Sequence, residues 1–220
     1  MDVRTKGLPR VAAAIAVVSW GIALLSIVLT AAARPKADVG FWFFAVDAMV
    51  AIVYGTTAAI TLARRRHPVP WILAVTAIGG GLAALGYAWM VFRDVQTRYP
   101  EFAALVQFQN IAWVPGTLAL FLVIPWLIRD HPLHWEWLGV GAGSGLIAFA
   151  EWERYALAGK LDLQLFIATV VLGILTALSV ELRRRFGPAD ERNGLGWLAL
   201  GTLVMIGEQC AGFILRDRKG

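Results

Sequence analysis

The residues from Val11 to Ala33 form one long uncharged run, VAAAIAVVSWGIALLSIVLTAAA. A helix needs about 20 mostly apolar residues to cross the roughly 30 Å hydrocarbon core of a bilayer, and this run is long enough. A secretory signal peptide has an apolar region of only about 7–15 residues, so we do not interpret the Ala31–Ala33 end as a cleavage site. The run therefore predicts a first membrane-spanning helix.

The composition of the whole chain agrees with a membrane protein. Of its 220 residues, 59% are hydrophobic and 16% are charged, against roughly 45–50% and about 25% in a soluble domain. Intrinsic disorder is excluded, because it requires low hydrophobicity and high charge. The single cysteine, Cys210, excludes a disulfide scaffold. The net charge of +5 comes from short basic clusters between apolar runs, which excludes a nucleic-acid-binding face.

Six further apolar runs follow the first, and the connections between them are too short for a soluble domain. Because lipid leaves no partner for the backbone of an open sheet edge, the spans are predicted to be helices. We therefore expect an all-α, polytopic transmembrane bundle that forms one integral membrane domain over residues 1–220. The seven predicted spans are Val11–Ala33, Phe41–Ala63, Trp71–Phe92, Val106–Ile128, Trp137–Leu157, Leu163–Val180 and Leu195–Leu215.

The basic residues predict the orientation of the bundle. If seven helices alternate, 11 lysines and arginines fall on the side of the N-terminus and 6 on the other side, before the C-terminal tail is counted. Positively charged loops stay in the cytoplasm, so we expect a cytoplasmic N-terminus in a bacterial inner membrane. The tail with Arg216, Arg218 and Lys219 would then lie outside, which leaves open either a tolerated exception or a re-entrant segment.

Ionisable residues inside predicted spans are the first candidates for function, because they are costly in lipid. Asp47 lies about one third of the way into the second span, and Glu208 lies in the last one. Under the predicted topology these acids and Glu151 occupy the outer half of the membrane, where they could line one outward-facing pocket. The alternative is that each is hydrated at the interface or paired with an arginine such as Arg93 or Arg154. The predicted ligand-binding residues are Asp47, Tyr54, Trp113, Glu151, Trp152 and Glu208.

Two motifs in the sequence have the spacing of a metal site and of a nucleotide-binding loop, but neither has the local context that such a site requires. His131 and His134 have His-x-x-His spacing, but Pro132 interrupts the pair and exposed loop histidines are the simpler interpretation, so no metal site is expected. Glycines alternate through Gly139, Gly141, Gly143 and Gly145 without a preceding strand, so a nucleotide loop is excluded. Their spacing instead favours close contact with another helix, in this protein or in a membrane partner.

Several classes of membrane enzyme and cofactor protein are disfavoured, because the predicted spans lack the residues that their chemistry requires. They contain no lysine for a retinal Schiff base and no histidine for haem ligation. Ser144 has no histidine in a predicted span to act as its base. We therefore expect neither a cofactor nor an enzyme. Pro115 and Pro125 are predicted to kink the fourth span, because proline lacks the backbone N–H.

Three segments together resemble the membrane-embedded sensor regions of actinobacterial histidine kinases. The first reads RRRHPVPWIL from Arg64, the second contains Ala112-Trp-Val-Pro-Gly116 with Pro125, and the third reads LRRRFGPADER from Leu182 and continues to Trp197. The resemblance runs with gaps from about residue 50 to 200, and the stretch Arg129–Leu133 departs from it. The resemblance implies a sensor function. The phosphoacceptor helix and the ATP-binding domain of that family are not found in this sequence, so we expect either a free-standing relative of the sensor region or a fragment of one.

These observations lead to three hypotheses. The first is a non-enzymatic, sensor-like protein that binds a ligand, lipid or partner in an outward-facing crevice. The second is a small transporter or permease subunit in which Asp47 and Glu208 carry protons or cations. Inverted repeats, which are common in transporters, are not evident. The third is an accessory subunit of a larger membrane complex. In that case the glycine-rich faces would pack against helices of the other subunits.

Overall fold

A computed structural model describes residues 8–64, 66–127, 136–156 and 163–186. Within these ranges the chain forms helices joined by short connections, and no strand is present. The helices are α1 (Pro9–Ala33), α2 (Val39–Arg64), α3 (Pro68–Val95), α4 (Ala103–Ile111), α5 (Val114–Leu122), α6 (Ile124–Leu127), α7 (Glu136–Ala156) and α8 (Leu163–Phe186).

Five of these helical segments are long and apolar enough to cross a membrane: α1, α2, α3, α4 with α5, and α8. They match the first, second, third, fourth and sixth predicted spans. The fifth predicted span is helical as α7, but α7 is not among the five by length and composition. The last predicted span, Leu195–Leu215, lies outside the described residues. The count of seven spans therefore remains a prediction, whereas the all-helical architecture of the described residues is confirmed.

Prolines fix several helix boundaries. Pro9 and Pro68 are the first residues of α1 and α3, a position where the missing N–H has no intrahelical partner in any case. His67 precedes α3, and its Nδ1 accepts a hydrogen bond from the Val69 backbone N–H at 3.2 Å. In the fourth span, α5 and α6 each begin one residue before a proline, Pro115 and Pro125. The predicted interruptions by these two prolines are thus confirmed.

The chain separates into two compact units, Met1–Thr117 and Leu118–Gly220. In the first unit α3 packs against α1, α2 and α4, and α1 also packs against α2. In the most apolar window of α3, 61% of the residues are buried, against 28% for α1 and for α2. Helix α3 is therefore the central helix of this unit.

Small residues form the interior of the first unit, and large apolar residues form its exterior. The buried residues of α1 recur every three or four positions and, apart from Ile15, are alanine, serine or threonine. In contrast, Val17 is 71% exposed and Val28 is 63% exposed. This arrangement suits lipid, where small residues allow close helix contact and large side chains face the acyl chains.

Serine and threonine side chains connect these closely packed helices. The Ser19 hydroxyl of α1 donates to the Ile15 carbonyl at 2.8 Å and packs directly against Gly55 of α2. Trp20 Nε1 donates to Thr56 Oγ1 at 2.9 Å between the same two helices. Such interhelical hydrogen bonds contribute about 0.6 kcal/mol each in a membrane protein.

In the second unit α6, α7 and α8 pack against one another. The Trp126 indole N–H donates to Thr176 Oγ1 at 3.2 Å, which connects α6 with α8. Gly139 of α7 lies against the Trp126 ring, and a Cβ on Gly143 would lie 2.7 Å from the Leu122 carbonyl oxygen. The glycines therefore bring α7 close to its neighbours in this unit, as the sequence predicted for Gly139 and Gly143.

Candidate membrane-embedded site

Asp47 is the acidic residue placed deepest in a candidate span of the first unit. It lies eight residues into α2, about 12 Å along the helix axis at about 1.5 Å per residue. Its side chain is half-buried, and in the part of the chain that the structure describes its carboxyl group has no hydrogen bond or ion pair. A charged group in such surroundings is costly unless something binds it.

Gly80, the middle residue of the Gly79–Gly81 triplet of α3, packs against the backbone of α2 at Asp47. A Cβ on Gly80 would lie 3.2 Å from the Asp47 carbonyl oxygen and 2.9 Å from Val50 Cγ1. Because glycine has no side chain, the backbone of α3 approaches α2 directly beside Asp47. Any larger residue at position 80 would separate the two helices at this level.

Each glycine of the triplet serves a different contact. Gly79 lies against the backbone carbonyl of Ala112, at the junction of α4 and α5. Gly81 faces α1 and α2, because a Cβ there would lie 3.1 Å from Ile22 Cγ2 and 3.4 Å from Ala51 Cβ. The triplet therefore brings α3 close to α1, to α2 and to the junction of α4 with α5.

Two of the other predicted ligand-binding residues lie in the same unit. Trp113 occupies the turn between α4 and α5, and its Cα lies 3.8 Å from the place where a Cβ of Gly79 would be. Trp113 and Asp47 thus approach neighbouring residues of α3 with their backbones. Tyr54 is half-buried on α2 and lies two helical turns, about 10.5 Å, beyond Asp47.

The remaining predicted ligand-binding residues do not belong to the described part of the first unit. Glu151 and Trp152 lie on α7 in the second unit; Glu151 is half-buried and Trp152 is 68% exposed. Glu208 lies outside the described residues. The single outward-facing pocket formed by all six residues therefore stays a prediction.

An aromatic cluster closes the first unit beside Asp47, toward the start of α2. The rings of Phe44 and Tyr87 stack with their centroids 5.5 Å apart, and both side chains are buried. A Cβ on Gly40 would lie 3.0 Å from Tyr87 Cε2 and 3.3 Å from Asp38 Oδ1, so Asp38 and Tyr87 both adjoin Gly40. Sequence reasoning missed this cluster, although Tyr87 and Gly80 share one helical face at a spacing of seven residues.

The second unit contains a buried ion pair that sequence reasoning also missed. Arg183 Nη1 lies 3.0 Å from Glu136 Oε1, and both side chains are less than a tenth exposed. Glu136 lies just before the predicted fifth span, and Arg183 belongs to the basic stretch that begins at Leu182. The pair joins the start of α7 to the last turn of α8.

The described residues contain no group of three or more histidine, cysteine, aspartate or glutamate side chains that could hold a metal ion. His67 instead caps the start of α3. His131, His134 and Cys210 lie outside the described residues.

Comparison of the chain with protein-family models, with curated proteins and with solved structures found no match to any of the three.

Proposed function

We propose that this chain is a non-enzymatic, sensor-like protein of the bacterial inner membrane whose first unit binds a ligand at Asp47. The observation that carries the proposal is the half-buried Asp47 carboxyl group, which has no hydrogen bond or ion pair among the described residues although it lies within a candidate span. Intramembrane acids of this kind commonly mark ligand or ion sites. The resemblance to kinase sensor regions supports the same function.

The chemistry of the site favours a cationic ligand. A carboxylate in a medium of low dielectric constant attracts a positive charge far more strongly than it does in water. An ammonium group or a metal cation would therefore be stabilised beside Asp47.

The packing around Asp47 gives the ligand a means of moving a helix. Helix α2 contacts α3 at Gly80, and α3 contacts the α4–α5 junction at Gly79. Because tightly packed interfaces shift between discrete arrangements rather than deforming continuously, a displacement of α2 is passed through α3 to α4 and α5. This connection from site to neighbouring helix is what a sensor requires.

A thermal-unfolding screen of the purified full-length protein tests the proposal. The probes are choline, spermidine and the chlorides of sodium, potassium and calcium, compared at matched ionic strength. We expect at least one cation to raise the unfolding temperature of the wild type, and Asp47→Asn to remove that increase. Asp94→Asn is the matched control, because Asp94 is an exposed acid at the end of α3. An increase that survives in Asp47→Asn contradicts the proposal.

The second candidate, a small transporter or permease subunit, is favoured by the same carboxyl group. In that case Asp47 would carry a proton or a cation across the membrane. Proteoliposomes loaded with a pH-sensitive dye distinguish the two functions. Uptake that is coupled to protons and abolished by Asp47→Asn supports transport, whereas ligand binding without flux supports the sensor.

A third candidate, an accessory subunit of a membrane complex, is favoured by an open face of α7. Gly141 and Gly145 are exposed, and a Cβ at either position would have no neighbouring atom within 4 Å among the residues that the structure describes. Their four-residue spacing suits a partner helix. Loss of a co-purifying membrane protein in the Gly141→Leu/Gly145→Leu variant, with retention of that partner in Gly21→Leu, supports this function.

The proposed orientation, with a cytoplasmic N-terminus, is tested by cysteine labelling. Cys210→Ser removes the native thiol, and single cysteines then replace Lys36 or Arg66, which lie at opposite ends of α2 and are both exposed. An impermeant maleimide added to intact spheroplasts should label position 36 and not position 66. The reverse pattern would invert the topology.

A further inference from the structure

The two ends of the first unit differ in charge. At one end, where α1 and α3 begin and α2 ends, Arg10, Arg64 and Arg66 are all exposed. No aspartate or glutamate occurs between Asp2 and Asp38 or between Asp47 and Asp94 in the sequence, so α1, α2 and α3 bring no acid to this end. The other end carries the acids Asp38, Asp94 and Glu101 beside its basic residues.

The backbone holds two of these arginines near each other. The Leu8 N–H donates to the Leu62 carbonyl at 2.9 Å, which joins the segment before α1 to the last turn of α2. Arg10 follows Leu8 by two residues, and Arg64 follows Leu62 by two residues. Beneath it, residues of all three helices form a small apolar core: Ala12, Ile15, Ala58, Leu62 and Ala74. The basic end is therefore held in place by a backbone hydrogen bond and by an apolar core that all three helices share.

Neither Arg10 nor Arg64 takes part in an ion pair with any residue that the structure describes. In the described part of the chain no side chain caps the start of α1, and the first backbone N–H groups of this helix lie at the same end as Arg10. The positive end of the helix dipole adds to the charge of the arginines. All of these groups favour an anion.

We propose that this basic end binds the headgroup of an anionic phospholipid of the surrounding membrane. Its position at the ends of three candidate spans places it at the level of the headgroups. The adjoining surface of α3 suits the acyl chain, because Trp71 is 46% exposed and Val75, one turn further on the same face, is 54% exposed. A free phosphate would use the arginines alone, whereas a phospholipid uses both surfaces.

Native mass spectrometry of the detergent-purified full chain tests this site with phosphatidylglycerol and phosphatidylcholine of the same acyl chains. We expect the wild type to retain phosphatidylglycerol in preference to phosphatidylcholine, and added salt to weaken that retention. Each basic residue near a membrane surface changes binding about fivefold, so Arg10→Gln/Arg64→Gln should weaken phosphatidylglycerol binding about 25-fold. Arg34→Gln/Lys36→Gln, at the other end of the unit, is the control and should leave it unchanged.

Three results would overturn the proposal: equal retention of the two lipids by the wild type, equal losses in the two double variants, or displacement of phosphatidylglycerol by inorganic phosphate at equal concentration. The last result would identify a site for free anions. If the glutamine variant does not fold, Arg10→Lys/Arg64→Lys keeps both charges and must keep the preference. The test does not depend on ligand binding at Asp47, so either proposal can fail without the other.

Discussion

Glu136 and Arg183 form an ion pair of 3.0 Å inside the second unit, although 47 residues separate them in the sequence. Their side chains are only 3% and 7% exposed. Removing one partner of a buried pair leaves the other charge without compensation, which costs about 3–5 kcal/mol. We expect Glu136→Gln to lower the free energy of unfolding by about 3 kcal/mol, measured by thermal or chemical unfolding in detergent.

An exposed ion pair on the same helix provides the control for this prediction. Glu181 accepts hydrogen bonds from both Arg184 and Arg185, and Arg185 is 65% exposed. Arg185→Gln leaves Glu181 paired with Arg184, so no change in stability is expected. Equal effects of Glu136→Gln and Arg185→Gln would show that the buried pair does not stabilise the contact of α7 with α8.

Gly79 is the position where a single methyl group should disturb the first unit most directly. A Cβ there would overlap the backbone carbonyl of Ala112, which cannot rotate away as a flexible side chain can. Overpacking of this kind costs about 1–3 kcal/mol. Gly79→Ala should therefore lower the unfolding temperature.

Gly21→Ala is the matched control for Gly79, because Gly21 is exposed on α1 and a Cβ there would meet no atom of the described part of the chain within 4 Å. Alanine also has a higher helix propensity than glycine by about 1 kcal/mol. The unfolding temperature of Gly21→Ala should be unchanged or raised. If Gly79→Ala also leaves the unfolding temperature unchanged or raises it, then α3 does not approach the α4–α5 junction as closely as described.

The hydrogen bond from Trp126 to Thr176 predicts an energetic coupling between α6 and α8. The threonine hydroxyl accepts from the indole N–H at 3.2 Å and donates to the Leu172 carbonyl at 2.8 Å. Trp126→Phe and Thr176→Val each remove the interhelical bond. A double-mutant cycle should give a coupling of about 0.6 kcal/mol, the average for such bonds in a membrane protein. Strictly additive effects of the two changes would contradict the bond.

The apolar runs were sufficient to predict the helices, but not the contacts between them. Span length follows from bilayer thickness, which is why Val11–Ala33 was predicted to within two residues of α1. The two prolines of the fourth span gave the breaks before α5 and α6, because a missing N–H acts locally. The partner of Glu136 could not be found in this way, because Arg183 comes from a distant helix whose rotation hydropathy does not fix.

The same limit applies to the candidate site. Asp47 was found from the sequence, because a carboxylate in an apolar run is unusual wherever it lies in the fold. Its neighbours on α3 were not, because which face of α3 meets α2 depends on the packing of Gly80 and Gly81. The aromatic pair of Phe44 and Tyr87 was missed for the same reason.

Asp38 and Asp47, just before α2 and in its first half, should have opposite effects on stability when each is replaced by alanine. Asp38 precedes the helix, and its Oδ1 accepts a hydrogen bond from the Phe41 backbone N–H at 2.9 Å. Loss of such a bond at a helix start costs about 1 kcal/mol, so Asp38→Ala should lower the free energy of unfolding. Asp47 makes no hydrogen bond or ion pair with the described residues and lies where a carboxylate is disfavoured.

Asp47→Ala should therefore raise the free energy of unfolding, by about 1 kcal/mol, when both variants are unfolded in the same detergent. A stabilising loss of a side chain indicates that the residue is kept for binding and not for folding. If Asp47→Ala destabilises the protein as much as Asp38→Ala does, then Asp47 is part of the packing of α2. The carboxyl group would then have a structural role, and the proposed ligand site would lose the observation on which it rests.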